Sequence, residues 1–187
     1  MSIGLPLTRR EDQRFLTGRG RYTENTAPRE ALAVLFVRSQ HAHARILGID
    51  KTEALALPGV VAVYTADDTA ADRLGHLPCI SEIKDAGGNR HIEPPHLPMP
   101  VGKVRHVGDI AAMIVAETLD QARDAAELLA IDYEPLPAVV TVAQALAPGG
   151  PLVHDEALGN LMCRWPRGDK AATDAAFAKA AHVARLS

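Results

Sequence analysis

The stretch 111–133 restricts the fold of this chain more than any other part. Residues 111–116, AAMIVA, form an unbroken apolar run of strand length closed by Glu117, which suits a strand covered on both faces at the centre of a sheet. Thr118 followed three residues later by Gln121 is a capping-box pattern, so a helix starts directly after that strand. In the helix, Leu119, Ala122, Ala125, Ala126 and Leu129 share one stripe, and Asp120, Arg123, Asp124 and Glu127 lie opposite. That is amphipathic spacing with one docked face. Leu129, Ile131 and Tyr133 then alternate with polar or small residues until Pro135 and Pro137, the pattern of a half-buried strand. The predicted unit is strand, helix, strand.

Earlier segments repeat this design on a smaller scale. Residues 31–37, ALAVLFV, read as a second strand buried on both faces. Residues 45–50 predict a shorter strand, Asp50 with Glu53 a capped helix ended by Pro58 and Gly59, and 60–64 another strand. The expectation is an α+β domain, a mixed sheet with two main helices on one side and extended terminal arms. The arms are 1–28, with the isolated anchors Phe15, Leu16 and Tyr22, and 148–187. The second arm holds a short alanine-rich helix at 173–181, anchored by Phe177, and a strand start at 182–187. A short helix is also expected at 143–146. Between 67 and 101, eight glycines and prolines from Gly75 to Pro100 leave no periodic segment, and an insertion of that length in a compact domain is commonly functional or an interface.

Bulk properties exclude several functions. The chain has 187 residues, a net charge of -3 and no basic cluster beyond Arg9, Arg10 and Arg14, so it carries no electrostatic footprint for nucleic acid or an anionic membrane. No window approaches 18 consecutive apolar residues, and acidic residues follow Arg9 and Arg10, which speaks against a spanning helix or export and for a cytoplasmic protein. The two cysteines, Cys79 and Cys163, stand too far apart for a CxxC site.

Chemistry-bearing residues are sparse. His41 and His43 could share a face of a strand, but no third metal ligand lies at a suitable spacing, so a solvated turn is expected. His91, His96 and His106 fall in or beside the proline-rich insertion and suggest polar surface. Asp67, Asp68 and Asp72 sit where a strand ends, which favours helix capping. No phosphate-binding glycine loop and no nucleophile elbow is present. The residues therefore offer no catalytic, cofactor-binding or metal-ligating set.

A resemblance adds to this. The segments RREDQRFLTGRGRYTEN (9–25), VRSQHAHARILGID (37–50), PGVVAVYTADD (58–68), VRHVGDIAAMIVAET (104–118), QARDAAELLAIDYEPLPAVV (121–140), PLVHDEALGN (151–160) and GDKAATDAAFAKAAHVARL (168–186) resemble, in this order, the amino-terminal part of the molybdenum hydroxylase large subunit. This is the xanthine dehydrogenase, aldehyde oxidase and carbon monoxide dehydrogenase family. The resemblance implies an α/β hammerhead domain at 29–147, and a linker at 148–187 that begins a molybdenum-cofactor domain. It also implies enzymes that hydroxylate aldehydes or N-heterocycles with a molybdenum-pterin cofactor, passing electrons through two iron-sulfur clusters (2Fe-2S) to FAD, often on separate subunits. The family's pterin-holding residues and its glutamate base have no counterpart here. The family typically has a proline where this chain reads Gly108, Asp109 and Ile110. The expected role is a structural and assembly module, inactive alone, with a molybdenum-cofactor-binding chain or domain, an iron-sulfur subunit and an FAD subunit as partners. Its candidate interface residues are Arg14, Phe15, Tyr22, Gly108, Asp109 and Phe177. The other reading is a free-standing binding domain that uses the insertion to hold a small ligand or a protein.

Overall fold

The structure is a computed structural model that describes residue 4 and residues 6–186. Strand β5 (Ile110–Ala116) lies at the centre of a three-stranded sheet, flanked by β1 (Ala33–Arg38) and β3 (Val60–Tyr64). Helix α4 (Leu119–Leu128) follows at once. Its cap is the expected one: Gln121 N–H donates to Thr118 Oγ1 at 3.3 Å, and Gln121 Oε1 accepts from Thr118 N–H at 2.9 Å. Two of the four donors orphaned at a helix start are thereby satisfied. With helix α2 (Thr52–Ala56), α4 covers one face of the sheet, where Ala54, Ala112, Ile114, Ala116, Ala122 and Ala125 are fully buried. The small side chains let helix and sheet approach closely, and Ile114 fills the space between them. Leu119, expected on the docked stripe, is instead 42% exposed at the first position of α4.

The α+β hammerhead class holds, but the single mixed sheet does not. Strand β6 (Ala130–Pro135), which continues from α4, leaves the first sheet and pairs with β2 (Ala44–Asp50) in a second one, ordered β4-β2-β6 with β4 at Lys103–Val104. Every pairing between these strands is antiparallel. Strand, helix and strand thus bridge two sheets instead of closing one.

Strand β1 is another correction. It was expected to be buried on both faces, yet half-buried and exposed residues alternate along it, because it is an edge strand with helices on one side only. The short helix α2 also starts differently: Asp50 Oδ1 accepts from Thr52 N–H at 2.9 Å, and no reciprocal bond from Glu53 forms. Asp68 caps as expected, but of a helix the sequence pattern left unassigned, α3 (Ala66–Ala71). It accepts from Thr65 N–H at 2.7 Å and from Lys51 Nζ at 3.0 Å, and these bonds, with Lys51 foremost, hold its carboxyl below the usual range.

Beyond β6, α5 (Val142–Ala145) has its own capping box from Thr141 and Gln144. Helix α6 (Lys170–Lys179) begins three residues before its expected start, on an Asp169 cap, and none of its residues is buried. No strand forms over 182–186, and Ser187 lies outside the described residues. The amino-terminal arm is not simply extended either, since a short helix α1 (Asp12–Leu16) and a 3-10 turn (Thr23–Thr26) fold within it.

Candidate functional site

Two neighbouring stretches, 94–101 and 105–109, meet a distant third, 154–156, at one cavity of about 400 Å³. Pro94, Pro95, Leu97 and Pro100 of the insertion form one wall. Arg105, His106 and Asp109, from the loop leading into β5, form the second. His154 and Glu156 from the segment after α5 close it.

The loop before β5 is held by backbone geometry. Gly108 sits at φ +89, a left-handed conformation in which an L side chain is strained. There its N–H donates to Ser39 O at 2.8 Å, its own carbonyl accepts from Arg38 Nη1 at 2.8 Å, and Ser39 N–H donates to Asp109 O at 2.8 Å. Asp109 Oδ2 in turn accepts from Arg105 N–H at 3.0 Å. Gly108 and Asp109 therefore latch the entry of β5 to the end of β1. A Cβ at Gly108 would meet nothing within 4 Å, so Gly108→Ala is expected to cost only the backbone strain, roughly 1–2 kcal/mol. Urea unfolding of the variant checks this, and an unchanged midpoint would contradict it.

The third stretch is fastened by side chains. Asn160 Oδ1 accepts from Val153 N–H at 2.8 Å, and its Nδ2 donates to Ala145 O and Pro151 O. Arg105 Nε donates to Val153 O at 3.2 Å, and Lys103 pairs with Asp155 at 3.1 Å. This clamp was invisible in the sequence beyond the motif PLVHDEALGN, because its partners lie 48 and 52 residues away. Partial burial, and after it the Arg105 charge, push His154 below its ordinary value of 6.5. Its protonated form is disfavoured in the folded state, so the unfolded chain takes up a proton first. Stability is full above about pH 6.5 and falls as pH drops from there toward the depressed value. The protection factor of the Val153 amide, its exchange normalised to the intrinsic rate at each pH, should fall over that window, and His154→Gln should flatten the dependence.

As chemistry, the cavity offers little beyond contacts. His106 Nε2 lies 3.8 Å from Asp109 Oδ1, too far for a hydrogen bond. Arg105 is committed to backbone carbonyls, including Lys103 O. Among the described residues no group of three His, Cys, Asp or Glu side chains could hold a metal ion. Cys79 is exposed, Cys163 half-buried, and both are free.

The other singled-out residues fall elsewhere. In the arm, Phe15 and Tyr22 stack with ring centroids 5.7 Å apart, and the Arg14 guanidinium lies 5.1 Å from the Phe15 centroid. Tyr22 remains 63% exposed, and Phe177, the anchor on α6, 60%. Of the six candidate interface residues only Asp109 lines the cavity; Gly108 and these four do not. His41 tilts against Tyr133 at 4.9 Å, whereas His43 is buried with Nδ1 2.9 Å from Pro137 O. His91 corrects the surface expectation: it is buried, with Nδ1 3.1 Å from Ile83 O, because the insertion folds back on itself. His96 and His106 are exposed as expected. No helix among the described residues is long and apolar enough to cross a membrane.

Comparison with known proteins places this geometry. Residues 17–137 match the family model described as aldehyde oxidase and xanthine dehydrogenase, a/b hammerhead domain. The chain is 38% identical over 195 residues to the carbon monoxide dehydrogenase large chain of Afipia carboxidovorans, with 98% of this chain and 23% of that protein covered. It is 35% identical over 189 residues to subunit gamma of the 6-hydroxypseudooxynicotine dehydrogenase complex of Paenarthrobacter nicotinovorans, covering 98% of this chain and 22% of the relative. Among solved structures, reconstituted CO dehydrogenase from Oligotropha carboxidovorans superposes with a TM-score of 0.75 at 36% identity, over 96% of this chain and 22% of the other. The chain thus spans less than a quarter of the length of these curated relatives.

Proposed function

The chain belongs to the aldehyde oxidase and xanthine dehydrogenase family, whose a/b hammerhead domain it contains, and from that premise we propose that it is a structural and assembly module of a molybdenum-dependent hydroxylase. The complete enzyme acts on an aldehyde, an N-heterocycle or a similar small molecule. The observation that carries this reading is the match of nearly the whole chain to less than a quarter of a carbon monoxide dehydrogenase large chain and of a 6-hydroxypseudooxynicotine dehydrogenase complex subunit gamma. The module is divided into an arm at 1–28, the hammerhead unit at 29–147 and a linker at 148–187 that leads into a cofactor domain.

The cofactors of such an enzyme do not fit the donors present here. A 2Fe-2S cluster takes four thiolates, and this chain has two cysteines, one of them exposed. Gly108 N–H, beside the cavity, is spent on Ser39 O and is not free to hold a pterin phosphate. We place molybdenum-pterin, the clusters and FAD on partner chains or domains. Arg14, Phe15, Tyr22, Gly108, Asp109 and Phe177 are the positions at which we place contacts with them.

A tagged chain isolated from its source cells tests the reading. The expected result is a native mass well above 20.0 kDa, with molybdenum, iron and flavin in the same peak. A metal-free monomer would overturn it. That outcome would favour the second reading, a free-standing binding domain, for which the cavity walled by the insertion is the supporting observation.

A further inference from the structure

Helices cover one face of the central sheet, and the strand register carries the other face across all three strands. Val34, Val115 and Ala62 form one rung of it, and Phe36, Met113 and Tyr64 the next. All six are apolar or aromatic. Val34, Phe36 and Tyr64 are 45%, 44% and 38% exposed, and the two side chains of β5 are half-buried between them. At one end Arg38 leans over the Phe36 ring, 5.8 Å from its centroid, with Nη1 engaged by Gly108 O. A polar outer face is what an antiparallel sheet open to water on one side normally presents. An apolar one belongs to a sheet with layers on both sides.

We infer that this face is the docking surface for an apolar helix of the molybdenum-cofactor-binding chain or domain proposed above as its partner. The inference deepens the functional reading above and rests on it. Two observations choose this occupant over a second copy of the chain. The first is area: three strands about 4.8 Å apart and two rungs about 7 Å apart give a patch on the order of 200 Å². A stable association of separate proteins buries about 800 Å² per partner. Alone, the patch is therefore too small to hold a free copy. It suffices for a neighbour already held by other contacts, whose effective concentration is high. The second is length, since the matched relatives extend over more than four times the span of this chain. A helix about 10 Å in diameter fits the width of three strands.

The test uses the complex isolated from source cells with a tagged full chain. Hydroxyl-radical footprinting should show Phe36, Tyr64 and Met113 oxidised several-fold more slowly in the complex than in the free chain. Replacing Phe36→Lys and Tyr64→Lys together should lower recovery of the molybdenum-containing polypeptide by about tenfold. Both side chains are partly exposed, so the melting temperature of the free variant should stay close to that of the parent. If the variant misfolds, the footprinting of the parent complex decides. Equal oxidation in both states, or undiminished recovery by a folded variant, overturns the inference alone. A parent chain that brings down no molybdenum polypeptide overturns the functional reading, and this inference with it. A twofold increase in mass that the double variant abolishes assigns the face to a second copy instead.

Discussion

Ile114→Ala should lower stability by roughly 3–4 kcal/mol, the largest effect expected of a single truncation in this chain. Ile114 is fully buried at the middle of β5, paired with Leu35 on one side and Val63 on the other, and it packs beneath α4. Its fully buried neighbours include Ala112, Ala116, Ala122 and Ala125. Alanines have no rotamers with which to refill a void, so the cavity persists and its full cost is felt. For a chain of this size the melting temperature should fall by on the order of 10 °C. Calorimetry measures it, and a drop of only a degree or two would mean that the backbone collapses into the space.

Gly59→Ala should be the next largest, at roughly 2–3 kcal/mol, with two separable sources. Gly59 holds φ +83 where α2 turns into β3, and its carbonyl accepts from Glu117 N–H at 2.9 Å. A side chain there is strained by roughly 1–2 kcal/mol. The added Cβ would also overlap the Gln121 carboxamide, the group that accepts from Thr118 N–H and Thr118 Oγ1. Displacing it breaks the cap of α4, worth about 1 kcal/mol. The two sources separate in a double-mutant cycle: with Gln121→Ala already present the clash is gone, so Gly59→Ala should then cost about 1 kcal/mol less. Strictly additive losses would indicate that Gln121 can swing aside without cost.

The sequence alone determined the elements whose signals are local. The run at 111–116 identified the central strand, and the Thr118 and Gln121 pair located the start of α4, because capping and amphipathic period act over three or four residues. The ordered motifs also named the family. Only the tertiary structure decided how those elements are shared out. The alternation at 129–133 is the same whichever sheet receives it, so nothing local could show that β6 pairs with β2. The apolar run of β1 looked buried on both sides, and its outer residues stand open because no second layer among the described residues covers them. His91 turned inward because the insertion folds back to Ile83, and the cavity joins residues up to 62 positions apart. Pairing and packing between distant segments are settled by the total apolar area buried and by which backbone groups remain to be satisfied. Those are properties of the whole assembly of elements and leave no trace in any short window of sequence.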